Sequence, residues 1–128
     1  MTVIIDPAAI DLGSAPLIDP AQLRDYAEFL PGAQVLQLIR TFIRELETRP
    51  SMVLHLARQG DLANARAAAH FLKGAALSIG ARRIALLADQ VEHAGDDAIV
   101  ALAQELPACA LDTLGELETT QAVLRDDA

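Results

Sequence analysis

The sequence predicts an all-α protein, an antiparallel up-down four-helix bundle with a short additional N-terminal helix. The chain has 128 residues, of which 52% are hydrophobic but only 3% aromatic, with no Trp. Its many Ala and Leu residues favour helices over strands. Several segments place apolar residues at the 3.6-residue period of a buried helix face. Only short connections separate these segments, so we expect consecutive helices to pack antiparallel.

Length and charge limit what the protein can be. We expect residues 1–18, which show no helical period, to form an N-terminal tail or arm, and residues 19–128 to form one helical domain. A net charge of −8 disfavours nucleic acids and anionic lipid as partners. With a single cysteine, no apparent signal peptide and no apolar run long enough to cross a membrane, the sequence predicts a cytoplasmic protein.

The first predicted helix is short. Asp19 fits the N-cap, Pro20 the first helical position, and Gln22 the partner position of a capping box. The helix should end near Phe29, because Pro31-Gly32 follows.

The second predicted helix is long and amphipathic. Pro50 lacks a backbone donor, so we expect this helix to kink or restart there and to end at Gly60. Asp61 is the expected N-cap of the third helix, which ends at Gly80. The buried face of the second helix is predicted from its apolar positions, Val35, Leu38, Ile39, Phe42, Ile43 and Leu46.

Two further helices complete the predicted bundle. The fourth covers about residues 81–94 and stops at Gly95. The fifth starts at residue 96 or 97 and extends to about 125, with a bend expected at Pro107.

The third helix has two different faces. A wheel at 100° per residue places His70 opposite a small and aliphatic stripe, which we expect in the core. The imidazole should therefore project outward, beside two cations and several very small residues. The stripe consists of Ala65, Ala68, Leu72, Ala75, Ala76 and Ile79, and the neighbours of His70 are Ala63, Arg66, Ala67, Lys73, Gly74 and Leu77.

These neighbours suit a histidine that handles phosphate. Imidazole is a nucleophile near neutral pH, where much of it is unprotonated. Lys73 at i+3 and Arg66 at i−4 lie within reach of a phosphoryl group on His70. Gly74 costs about 1 kcal/mol relative to Ala but lets another protein approach the imidazole, and Leu77 indicates a docking contact. Periodicity alone leaves open that His70 is simply a solvated residue.

Residues 69–81, AHFLKGAALSIGA, resemble the signature of the histidine-phosphotransfer (HPt) family. The shared features are an Ala-His pair, Lys-Gly at +3 and +4, small residues next, and Gly at +10. The order of helices over residues 19–125 is similar to the family as well. Many members have Ser after the Lys-Gly, where this chain has Ala on the core side. The resemblance implies that His70 is phosphorylated, Lys73 is its electrostatic helper, Gly74 provides clearance and Gly80 is the helix stop.

The resemblance also implies a function. The protein would accept a phosphoryl group on His70 from a phospho-aspartyl receiver domain or hybrid kinase, and pass it to another response-regulator receiver. Mg²⁺ would come from the partner, so we expect no cofactor, no metal site and no autonomous enzymatic activity. Docking is expected on Arg66, Ala67, Gly74 and Leu77, and a monomer is expected because the histidine must stay accessible.

Alternatives to the relay function stay open. The bundle is alternatively a non-catalytic adaptor that binds and regulates kinases or receivers, or an acceptor fed directly by a kinase. His55 and His93 have no ligand spacing to His70 or Cys109, which disfavours a metal site. Cys109 is predicted to be a small core residue.

Overall fold

The computed structural model describes residues 16–126, and all regular structure in this part of the chain is helical. The predicted all-α class is confirmed. Residues 1–15 of the predicted arm, and residues 127–128, lie outside the described residues. The helices are α1 (Pro20–Phe29), α2 (Gly32–Arg58), α3 (Leu62–Ile79), α4 (Arg82–His93), α5 (Ile99–Ala103) and α6 (Leu106–Asp126).

Helix α1 begins as predicted, but the capping box is wrong. The Asp19 carboxylate accepts a hydrogen bond from the Ala21 amide at 3.0 Å. The Gln22 side chain instead donates to the backbone oxygens of Leu77 and Ser78, at 2.7 and 3.0 Å. The last carbonyls of a helix lack a hydrogen-bond donor within that helix. The Gln22 amide of α1 provides such a donor to the carbonyls at the C-terminal end of α3.

Helix α2 continues through Pro50 for 27 residues without restarting. Pro50 itself is buried, on the same face as the predicted core positions. Leu38 is the exception to the predicted apolar face, since it is exposed. The buried face of α2 consists of Val35, Ile39, Phe42, Leu46, Pro50, Val53 and Ala57.

The boundaries after α2 differ from the predictions in two details. Asp61 occupies the N-cap position of α3, but its carboxylate accepts from the Asn64 amide at 2.9 Å and makes no capping bond to the backbone. The predicted fifth helix begins at Ile99, not at residue 96 or 97, and it is two helices, α5 and α6, separated by a turn at residues 104–105. Pro107 is the second residue of α6, and a proline in the first turn forfeits no intrahelical hydrogen bond, so it does not bend the helix.

Helix α3 packs against α2 and α4, and α6 packs against the same two helices. The predicted small stripe of α3 is buried apart from Ala75, which is half-buried, and Ala69 joins it. Alanine lets neighbouring helices approach closely, and the opposite face of α3 is left to solvent. No helix among residues 16–126 is long and apolar enough to cross a membrane.

Candidate functional site

The His70 side chain is 67% exposed in the middle of α3. Ala67, Gly74 and Leu77, which sequence reasoning placed beside it, are also exposed. The imidazole therefore stands on an open helix surface, one turn away from small residues on either side.

Three residues of α3 contact acidic residues on or just after α4. Each step forward along α3 is matched by a step backward along α4, which shows that the two helices run antiparallel. The contacts are Arg66 Nη2 to Asp96 Oδ1 at 2.7 Å, His70 Nδ1 to Glu92 Oε2 at 2.8 Å, and Lys73 Nζ to Asp89 Oδ1 at 3.1 Å.

Glu92 joins two of the predicted site residues. Its second oxygen, Oε1, lies 2.7 Å from Lys73 Nζ. The hydrogen bond from Lys73 lowers the pKa of Glu92, burial opposes this, and the contact with His70 lowers it further. An ionised carboxylate can only accept hydrogen bonds. His70 Nδ1 is therefore the donor in this contact, and in the neutral form of the ring the lone pair lies on Nε2.

Lys73 is held more tightly than sequence reasoning anticipated. Its side chain is only 20% exposed and its ammonium group contacts both Glu92 and Asp89. Hydrogen bonds to Glu92 and then Asp89 raise the pKa of Lys73, against the opposing effect of burial. The side chain is therefore a fixed cation one turn from His70.

The two glycines of the motif have different surroundings. A Cβ added at Gly74 would meet nothing within 4 Å, so the fold itself does not need glycine there. Gly80 ends α3 in the left-handed region with φ +80°. A Cβ at Gly80 would lie 3.2 Å from both Asp19 O and Gln22 Cβ, so a larger residue would press against the start of α1 in addition to straining the backbone.

Arg66 is tied to the end of α4. Its guanidinium donates to the Ala94 carbonyl at 2.9 Å and to Asp96 at 2.7 Å. Together with Ala67, His70 and Glu92 it lines a shallow concavity of about 480 Å³.

Acidic ligand atoms do meet in one place. Asp89, Glu92 and His93 present ligand atoms within 4.8 Å of one another. Lys73 already contacts both carboxylates, and its ammonium offsets part of their negative charge. Cys109 on α6 is half-buried, and burial raises the pKa of its thiol.

Sequence reasoning missed Glu92 and Asp89. A usable signal was present, because α3 and α4 are joined by a tight turn at Gly80. Antiparallel pairing about that turn places residues at similar distances before and after it side by side. His70 and Glu92 lie at similar distances before and after Gly80, so this pairing predicts that they are close in space.

The fold and this geometry define a class of protein, a helical domain that presents one oriented imidazole to solvent. The family model of the Hpt domain matches residues 37–124, more than half of the chain. The chain belongs to the Hpt domain family. Hpt domains are phosphotransfer carriers of two-component systems that interact with receiver domains and kinases. Comparison with curated proteins and with solved structures gave no match.

Proposed function

We propose that this protein is a phosphorelay carrier built on an antiparallel up-down four-helix bundle. It accepts a phosphoryl group on His70 from a phospho-aspartyl receiver domain or hybrid kinase and passes it to another response-regulator receiver. The observation that supports this most directly is the exposed imidazole whose Nδ1 faces the Glu92 carboxylate at 2.8 Å. An imidazole so oriented has its nucleophilic nitrogen, Nε2, free for a partner.

The proposed reaction is a reversible in-line displacement. The Nε2 lone pair attacks the phosphorus of the partner's aspartyl phosphate, a N–P bond forms, and the bond from phosphorus to the carboxyl oxygen breaks. The aspartate leaves as a carboxylate. The Nδ1 proton stays on the ring, where Glu92 balances the positive charge that develops on the imidazole. The reverse steps, onto a second receiver, complete the relay.

Lys73 is proposed as the electrostatic helper. The transferring group carries negative charge on its equatorial oxygens, which a nearby cation stabilises. In the structure Lys73 binds Glu92 and Asp89, and these acids hold the ammonium near His70. Mg²⁺ on the partner receiver would supply the remaining positive charge, so the carrier needs no cofactor of its own.

The docking surface is proposed to be the exposed side of α3 around His70. Ala67 and Gly74 leave the approach to the imidazole open, Leu77 provides an apolar contact, and Arg66 lies at the edge. A monomer leaves this face free. We place the carrier in the cytoplasm, in keeping with its single cysteine and acidic charge.

Transfer from a radiolabelled phospho-receiver tests the proposal. Label should appear on the wild type, survive base, be lost in acid, and be absent from His70→Gln. His55 on α2 is also exposed, so His55→Gln serves as the matched control and should label normally. Binding of receivers without labelling would contradict the relay function and support an adaptor.

A further inference from the structure

An open groove lies beside the histidine site, between α3 and α4. Its volume is about 580 Å³, and Leu77, Ala85 and Leu86 form much of its lining together with Lys73 and Arg82. Leu77 and Leu86 remain 53% and 42% exposed. Adjacent exposed apolar side chains of this kind mark surfaces that another segment covers.

The chain before α1 leads into this groove. The Asp19 amide donates to the Gly80 carbonyl at 2.7 Å, and the Arg83 amide donates to the Pro16 carbonyl at 3.2 Å. Going back from Asp19 to Pro16 thus advances along the start of α4, in the direction of Leu86. Pro16 itself lines the groove, so the described part of the chain before α1 begins at the groove.

The preceding sequence has the chemistry to fill the groove. Ile10 and Leu12 alternate with Asp11, so in an extended segment both apolar side chains point to the same side. Four extended residues span about 13 Å, whereas three helical residues from Arg83 to Leu86 rise only about 4.5 Å. The span from Pro16 back to Leu12 is therefore long enough to reach Leu86.

The charge of residues 1–15 also favours this segment as the occupant of the groove. Residues 1–15 contain two Asp and no Lys or Arg. On the groove, the Arg82 side chain is 61% exposed, and its contact with Asp19 is a distant 3.8 Å. An acidic residue of the preceding segment would complement this guanidinium.

We propose that residues 10–12 occupy this groove, with Ile10 and Leu12 against Leu77 and Leu86. Leu77 also belongs to the proposed docking face. The segment and a receiver therefore compete for it, and this second part rests on the proposed function.

Occupancy is tested on the full chain by paramagnetic relaxation. A nitroxide is attached at Ala9→Cys in a Cys109→Ala background, and leucine methyl signals are recorded. Signals of Leu77 and Leu86 should be lost, whereas Leu111, which is 69% exposed on α6, should keep its intensity. Adding Ile10→Ser and Leu12→Ser should restore the lost signals. Equal intensity at Leu86 and Leu111 would overturn the proposal.

A mixture experiment separates a second copy from the chain's own segment. Spin-labelled chain without isotope is mixed with isotope-labelled chain that carries no nitroxide. Signals of Leu86 should persist in this mixture, and their loss would assign the groove to a neighbouring molecule and overturn the proposal.

Competition is tested by phosphotransfer kinetics with Ile10→Ser/Leu12→Ser in the native background. Freeing the groove should lower the apparent KM for the phospho-receiver, roughly three- to tenfold if the segment occupies it most of the time, with little change in kcat. An unchanged KM would overturn the competition. If no receiver labels any variant, the proposed relay function is wrong. The methyl signals still show whether residues 10–12 occupy the groove.

Discussion

Glu92 Oε2 lies 2.8 Å from His70 Nδ1, and this contact connects the orientation of the imidazole to the charge of α4. The same carboxylate binds Lys73 through Oε1. One side chain of α4 thus determines which ring nitrogen of His70 is free and keeps a cation beside it.

Removing the Glu92 carboxylate should slow transfer to His70 without abolishing it. A charge-assisted hydrogen bond is worth about 1.5 kcal/mol or more, so we expect Glu92→Ala to reduce the transfer rate roughly tenfold. The rate of Glu92→Gln should lie between those of Glu92→Ala and the wild type, because its amide oxygen still accepts a hydrogen bond from Nδ1. Imidazole ¹⁵N spectra should show the Nδ1-protonated tautomer in the wild type and a mixture in Glu92→Ala. The control is Glu116→Gln on an exposed part of α6, which should transfer normally. Wild-type rates in Glu92→Ala would show that the contact has no role in transfer.

Acid should selectively remove the stability that Glu92 contributes. Because Lys73 holds the pKa of Glu92 below its ordinary value of 4.5, the contribution is complete above that value. It is lost as the pH falls through the lower pKa of the folded state. Urea unfolding should therefore show Glu92→Gln less stable than wild type, by about 1 kcal/mol, at pH 6–8. This difference should shrink below pH 4.5, and a constant difference down to pH 3 would contradict the assignment.

Gly74→Ala should stabilise the protein yet impair transfer. Outside the backbone of α3 itself, no atom lies within 4 Å of the added Cβ, so the helix gains about 1 kcal/mol from alanine. The methyl group would meet an approaching receiver, and about 1 kcal/mol of steric strain slows transfer roughly fivefold. Gly115 in α6 is equally open, so Gly115→Ala should give the same gain in urea unfolding with unaltered transfer. Equal transfer rates in the two variants would show that Gly74 does not provide clearance for the partner.

Gly80→Ala should destabilise the fold more than Gly60→Ala. Both glycines have positive φ, +80° and +78°, so each substitution costs about 1 kcal/mol of backbone strain. Only at Gly80 does the new Cβ meet neighbours, at 3.2 Å from Asp19 O and Gln22 Cβ. We expect an additional loss of about 1–3 kcal/mol there, measured by urea unfolding. Similar losses in the two variants would show that α1 adjusts freely.

Local patterns were enough to predict much of this protein. Apolar periodicity and the Gly and Pro positions predicted the helical class, the ends of α1, α3 and α4, and the outward direction of His70. These features depend on residues within a few positions of one another, so they can be recognised in the sequence. The family resemblance, carried by residues 69–81, was confirmed by the match over residues 37–124.

Contacts between distant segments were decided only by the tertiary structure. Gln22 has the right spacing for a capping box, but its side chain instead donates to the Leu77 and Ser78 carbonyls at the end of α3. Glu92 became a partner of His70 because the turn at Gly80 folds α4 back along α3. Hydrogen bonds and ion pairs depend on separation in space, and for residues far apart in the chain that separation is determined by helix packing.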